Sequence, residues 1–191
     1  VGKITSDEWR RGTDALRISS LPILATALRE LDDLVIQRKE PIKRPLSPVA
    51  SVTRRTSAST TKTHELYNRS RYWDYAQNVE RAFGELYQFC FTLSKPPQSR
   101  NMDMETATAL WSVLLSTRYP IIGDITTFLN ENSSYRGANK DIWNMVYEFC
   151  RTVHPNLDNY EDDAAWPTLL DDFVSWKRGK SHDGAGSQWS V

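Results

Sequence analysis

Between Asp158 and Asp172 the chain carries Asp158, Glu161, Asp162, Asp163, Asp171 and Asp172, and no Lys or Arg follows until Lys177. Carboxylates at such density can serve as an acid/base pair, a cation site, helix caps or a contact for a basic partner. Catalysis finds no companions: His64 falls in a basic segment, His154 beyond a helical pattern, and His182 in a tail of small and polar residues. There is no C-x-x-C, H-E-x-x-H or phosphate-cradling Gly loop, so neither a metal nor a cofactor is expected. Neither "DNYEDDAAW" nor "DMETATALW" places oxygen ligands at alternate positions around a central Gly, which argues against calcium loops. In the stretch "AAWPTLLDDFVSW" Pro167 suits a first helical turn, and Trp166, Leu169, Leu170, Phe173 and Val174 form one apolar stripe. Asp171 and Asp172 then face outward, with no cation three or four residues away on the helix. Uncompensated charge of this kind suits a basic partner. Asp162 and Asp163 also suit a helix start, and Asp141 reads first as an N-cap.

The elements that must hold these residues are helical. Thr5 stands three residues before Glu8, a capping-box spacing, and Leu21, Leu24, Leu28, Leu31 and Val35 recur at helical intervals, with Gly12 expected to break the segment. A central helix is expected over 73–95, ended by Pro96 and Pro97, and another opened by Asp103 and Glu105. A short helix is expected near 125–129, and one from about Asp141. No strand-like alternation competes, so the expected fold is all-α. The stretch 38–72 is rich in Pro, Ser, Thr and basic residues and poor in large apolar ones, and is expected to be a disordered insertion. Few aromatic residues there offer stacking surfaces, so it reads as a spacer and no nucleic-acid partner is expected. Its R-R-T-S at 54–57 is a weak phosphorylation pattern.

With 191 residues, 39 % hydrophobic and 25 % charged, 24 basic against 24 acidic, the chain suits one domain over 1–176 and a flexible tail over 177–191. No apolar run reaches the roughly 20 residues of a membrane span, so no membrane is expected as a partner. Cys90 and Cys150 sit within apolar patterns, as small hydrophobes of a reducing compartment.

"NKDIWNMVYEF" followed by "NYEDDAAWPTLLDDFVSW" resembles the potentiating-neddylation (PONY) domain of the defective-in-cullin-neddylation family, with its D-x-W-N and A-W-P-x-L-I-D-D-F-V patterns. "FGELYQFCFTLSK", "MDMETATALWSVLL" and "DEWRRGTDAL" extend the likeness over most of the chain. The resemblance implies a compact helical domain of EF-hand-like ancestry without calcium loops. It implies a co-ligase scaffold, not an enzyme, acting in cytoplasm and nucleus. Its partners would be the winged-helix end of a cullin, the acetylated amino terminus of the neddylation conjugating enzyme and, indirectly, the cullin's RING partner. It assigns cullin contact to Asp141, Ala165 and Asp171, with Asp172 and Asp163 beside them, and the wall of an apolar pocket for the acetylated terminus to Leu93, Val113 and Ile4. The alternative is a helical adaptor for some other basic protein. Departures from the family are the longer basic segment, Ile125 where a Trp is often found, and further helical sequence that family members carry ahead of the point where this chain begins.

Overall fold

The computed structural model describes residues 3–43 and 65–185, with side chains to residue 180. Most of residues 38–72, the expected insertion, therefore lies outside the described residues, as do His64 and the R-R-T-S pattern. Contacts divide the chain into two compact units, one of residues 3–85 and one beginning at Leu86, where the composition alone suggests a single domain.

In the amino-terminal unit, α1 (Ser6–Leu16) opens on the expected capping box: Thr5 accepts from the Glu8 amide, and the Glu8 carboxylate accepts from the Thr5 amide at 2.8 Å. Gly12 does not break it. The helix ends at Arg17, whose φ of 54° is left-handed and whose amide closes on Asp14. α2 (Leu21–Leu31) restarts with Pro22 in its first turn and runs into one π-helical turn, Asp32–Ile36. α3 (Ser70–Gln77) follows, and α4 (Val79–Ser94) begins after Asn78, whose side chain caps the Arg81 amide at 2.9 Å. The expected helix 73–95 is thus two helices, because Asn78 leaves helical geometry and caps the second instead of continuing the first.

Both margins of the expected disordered stretch are ordered. Tyr67 and Tyr72 are buried, the Tyr72 hydroxyl accepts from the Ile42 amide at 2.9 Å, and Lys39 pairs with Asp33. Tyr67 and Arg69 both reach Glu30 of α2, with Arg69 bidentate at 2.8 Å from Nε and from Nη2. A few aromatic anchors and one shared carboxylate oppose the ordering entropy that composition alone leaves uncovered.

The carboxy-terminal unit contains the rest of α4, then β1 (Asn101–Asp103), α5 (Met104–Leu115), α6 (Ile121–Glu131), β2 (Gly137–Asn139), α7 (Lys140–Thr152) and α8 (Thr168–Ala185). The fold is helical, but the two short strands were not anticipated. They pair antiparallel, Met102 opposite Ala138, joining the loops that lead into α5 and α7. A Cβ on Gly137 would stand 2.7 Å from the Met102 carbonyl oxygen, so this close approach requires glycine.

Tyr87, Trp111 and Trp143 form the centre of this unit, all fully buried. Tyr87 stacks on Trp143 with centroids 4.4 Å apart and donates its hydroxyl to the Trp143 carbonyl at 2.7 Å, while Trp111 Nε1 donates to that hydroxyl at 2.8 Å. Trp143 Nε1 in turn donates to the Tyr87 carbonyl at 3.2 Å, so each buried side-chain polar atom of the trio has a partner and the rings can be buried without stranding one. Cys150 is buried and Cys90 half-buried, and burial pushes the Cys150 thiol up to about 12.

α8 runs through Lys177 to Ala185, where a flexible tail was expected from 177. Lys177, Arg178 and Lys180 are held by Asp124, Asp162 and Glu131, partners distant in sequence that give the polar end of the helix ordered contacts.

Candidate functional site

α8 is positioned by its buried stripe. Leu169, Leu170, Phe173 and Val174 are all at most 2 % exposed, and Phe173 meets Phe149 of α7 and Phe128 of α6, each edge-on at 5.9 Å. The Pro167 carbonyl accepts the first helical amide, that of Leu170, at 2.8 Å, so Pro167 precedes the helix rather than sitting in its first turn. With that face inward, Asp172 is exposed and Asp171 half-buried. The latter corrects the expectation that both carboxylates are simply outward.

The acids around α8 fall into two groups. Asp124 binds Lys177, Glu131 takes Lys180 at 2.7 Å and the indole N–H of Trp176 at 2.8 Å, and Asp162 takes Arg178 at 2.9 Å. These are ion pairs within the chain. Asp171 and Asp172 instead receive neutral donors: the Tyr160 hydroxyl donates to Asp171 Oδ1 at 2.5 Å, and the Tyr135 hydroxyl donates to Asp172 Oδ2. Tyr160 is buried, its ring 6.1 Å from Phe149 and capped by the Arg178 guanidinium at 5.4 Å, while Tyr135 rests against Phe128 at 5.9 Å. Burial first, and then the acceptor carboxylate, push Tyr135 up to about 12 and raise Tyr160 as well. Both hydroxyls therefore stay protonated and donating around neutral pH, and the negative charge of the pair is not cancelled by them.

The other expected contact residues come from α7 and from the segment before α8. Asp141 is exposed in the first turn of α7, but the cap is Asn139, whose side chain accepts from the Ile142 amide at 2.7 Å. An N-cap needs extended backbone, which Asn139 has and the helical Asp141 lacks. That leaves the Asp141 carboxylate free of the capping role first expected for it. Asp163 and Ala165 are exposed in the segment that leads from Tyr160 into α8. Tyr135 and Tyr160 were missed by sequence reasoning, and with separations of 37 and 11 residues from their partners no local spacing could have revealed them.

Leu93 of α4 and Val113 of α5 are 48 % and 69 % exposed, which removes the alternative that they belong to the core. Phe89, one turn before Leu93, is exposed on the same helix and was not singled out. Ile4, also exposed, belongs to the amino-terminal unit, just ahead of the Thr5 cap. Among the described residues no group of three His, Cys, Asp or Glu side chains gathers to hold a metal, and no helix is long and apolar enough to cross a membrane.

The unit is thus an aromatic-cored helical one that displays a hydroxyl-braced pair of carboxylates on α8. Residues 61–176 match the cullin-binding family model, and the chain belongs to that family. Over 123 residues it is 37 % identical to DCN1-like protein 5 of Homo sapiens, covering 64 % of this chain and 52 % of the relative. To DCN1-like protein 4 it is 36 % identical over 125 residues in Homo sapiens (65 % and 42 % of the two chains) and 39 % over 101 residues in Drosophila melanogaster (53 % and 40 %). The chain spans about half the length of the curated relatives it matches.

Proposed function

We propose that this chain is the cullin-binding part of a scaffold that promotes cullin neddylation without itself doing covalent chemistry. The match of residues 61–176 to the cullin-binding family carries the reading. It is supported by the two α8 carboxylates, whose hydrogen-bond partners among the described residues are neutral tyrosine hydroxyls. Asp141, Ala165 and Asp171, with Asp172 and Asp163 alongside, would meet basic residues of the cullin winged-helix domain, and Ala165 would let the surfaces approach closely. Leu93 and Val113 would take part in binding the acetylated amino terminus of the neddylation conjugating enzyme, and Ile4 enters this reading through the family resemblance. Acetylation suits such a contact, because it removes a cation that an apolar surface could not solvate. Holding both proteins at once raises their effective concentration and restricts the orientations of the thioester relative to the acceptor lysine.

The test is calorimetry with an isolated cullin winged-helix domain at several salt concentrations. Wild type should bind, more weakly as salt rises, and Asp171→Arg should weaken binding at least about tenfold by setting like charges face to face. Asp7→Arg, on exposed α1, should leave binding unchanged. If wild type did not bind, or if folded Asp171→Arg bound equally well, the reading would fail.

A further inference from the structure

We infer that Tyr160 and Tyr135 are positioning residues of the cullin contact, each fixing one carboxylate so that its second oxygen is presented to a basic partner. The inference rests on the reading of the acidic face given above.

An aspartate on a helix surface ordinarily samples several rotamers, and binding through it costs the entropy of selecting one. Here the selection is made in the free protein. Asp171 Oδ1 accepts from Tyr160, and that ring is itself fixed between Phe149 and the guanidinium of Arg178. Arg178 is fixed in turn by Asp162 at 2.9 Å. Asp172 Oδ2 accepts from Tyr135, whose ring lies against Phe128. The two tyrosines come from different segments, one following α7 and the other preceding β2, so adjacent carboxylates are drawn to different anchors. Each carboxylate gives one oxygen to the brace and keeps one. The brace is neutral, since both hydroxyls stay protonated, whereas Asp124, Glu131 and Asp162 are neutralised by lysine or arginine. A cation in place of either tyrosine would orient the carboxylate equally well but cancel the charge that attracts the partner.

The experiment measures binding kinetics of Tyr160→Phe and Tyr135→Phe against the cullin winged-helix domain, with Asp171→Arg in parallel. Each Tyr→Phe change removes one oxygen and no charge. Dissociation should therefore speed up by roughly five- to tenfold, while the association rate and its salt dependence stay at wild-type values. Side-chain scalar couplings of Asp171 should show one rotamer in wild type and averaging in Tyr160→Phe, a change that general loosening of a distant loop would not produce. In an Asp171→Ala background Tyr160→Phe should have no further effect on binding. Should Tyr160→Phe unfold, Tyr135→Phe with the couplings of Asp172 decides the matter in the same way. Wild-type dissociation rates in folded Tyr→Phe variants, alongside a defective Asp171→Arg, would overturn the inference and leave the function standing. An unaffected Asp171→Arg would remove the function itself.

Discussion

Two carboxylate sites in this molecule use the same parts and finish differently. In the amino-terminal unit Glu30 receives the Tyr67 hydroxyl at 2.5 Å and both arms of Arg69, whose guanidinium also lies 4.4 Å from the Tyr67 ring centre. Glu30 and Arg69 are only 17 % and 12 % exposed, so carboxylate, phenol and guanidinium close on one another within the fold. On α8, Asp171 and Asp172 each receive a tyrosine hydroxyl, and the nearby Arg178 is committed to Asp162. The first site shows what completes a carboxylate braced by tyrosine, and the second is the arrangement expected where that cation comes from another molecule. One is an internal clamp closed by a guanidinium, and the other, among the described residues, holds its carboxylates by neutral hydroxyls alone.

The comparison breaks most visibly at Arg69. Arg69→Ala strands a largely buried Glu30 and should cost about 3 kcal/mol in urea unfolding, and a loss below about 1 kcal/mol would make the clamp equivalent to an ordinary surface pair. Asp171→Arg should cost less, about 1 to 2 kcal/mol, because it leaves the buried Tyr160 hydroxyl without its acceptor. That exceeds the change of about 0.5 kcal/mol typical of an open surface position, and it should be read by the same unfolding measurement before any binding defect is interpreted. Acid titration sharpens the contrast further. The two hydrogen bonds from Arg69 hold Glu30 below its ordinary carboxyl value of 4.5. Its stabilisation is therefore complete above that value and is lost as pH falls through the lowered folded-state value. The stability gap between wild type and Arg69→Ala should accordingly be constant near neutral pH and shrink below about pH 4.5. The smallest effect is expected at Glu131, an exposed acid that already has Lys180 and Trp176. Glu131→Gln should leave the melting temperature unchanged within error.

Much of this was legible without coordinates. The capping box at Thr5 and Glu8 and the acidic start of α5 at Asp103 and Glu105 are local signals, written within three or four residues; the structure uses both, with Asp103 accepting from the Thr106 amide as the N-cap. The apolar stripe of α8 and the family resemblance were equally readable, since helical periodicity and an ordered run of motifs survive in one dimension. The three-residue strands were not, because alternation cannot be recognised over three residues and their register depends on the partner strand. The margins of the basic segment were misjudged for a related reason. Composition averages over 38–72, whereas order there depends on Tyr67, Arg69 and Tyr72 finding Glu30 and Ile42 some thirty or more residues away.

The chain by itself determined which residues are carboxylates, that helices would carry them and which family's pattern they follow, because charge, periodicity and motif order are properties of the sequence. Only the tertiary structure decided which carboxylates are neutralised and which remain available. That choice turns on donors brought together from 11 to 53 residues away, Tyr160 to Asp171 at one end of the range and Lys177 to Asp124 at the other. Such pairings are made by packing, through Phe149, Phe128 and Phe173, and no local spacing encodes them.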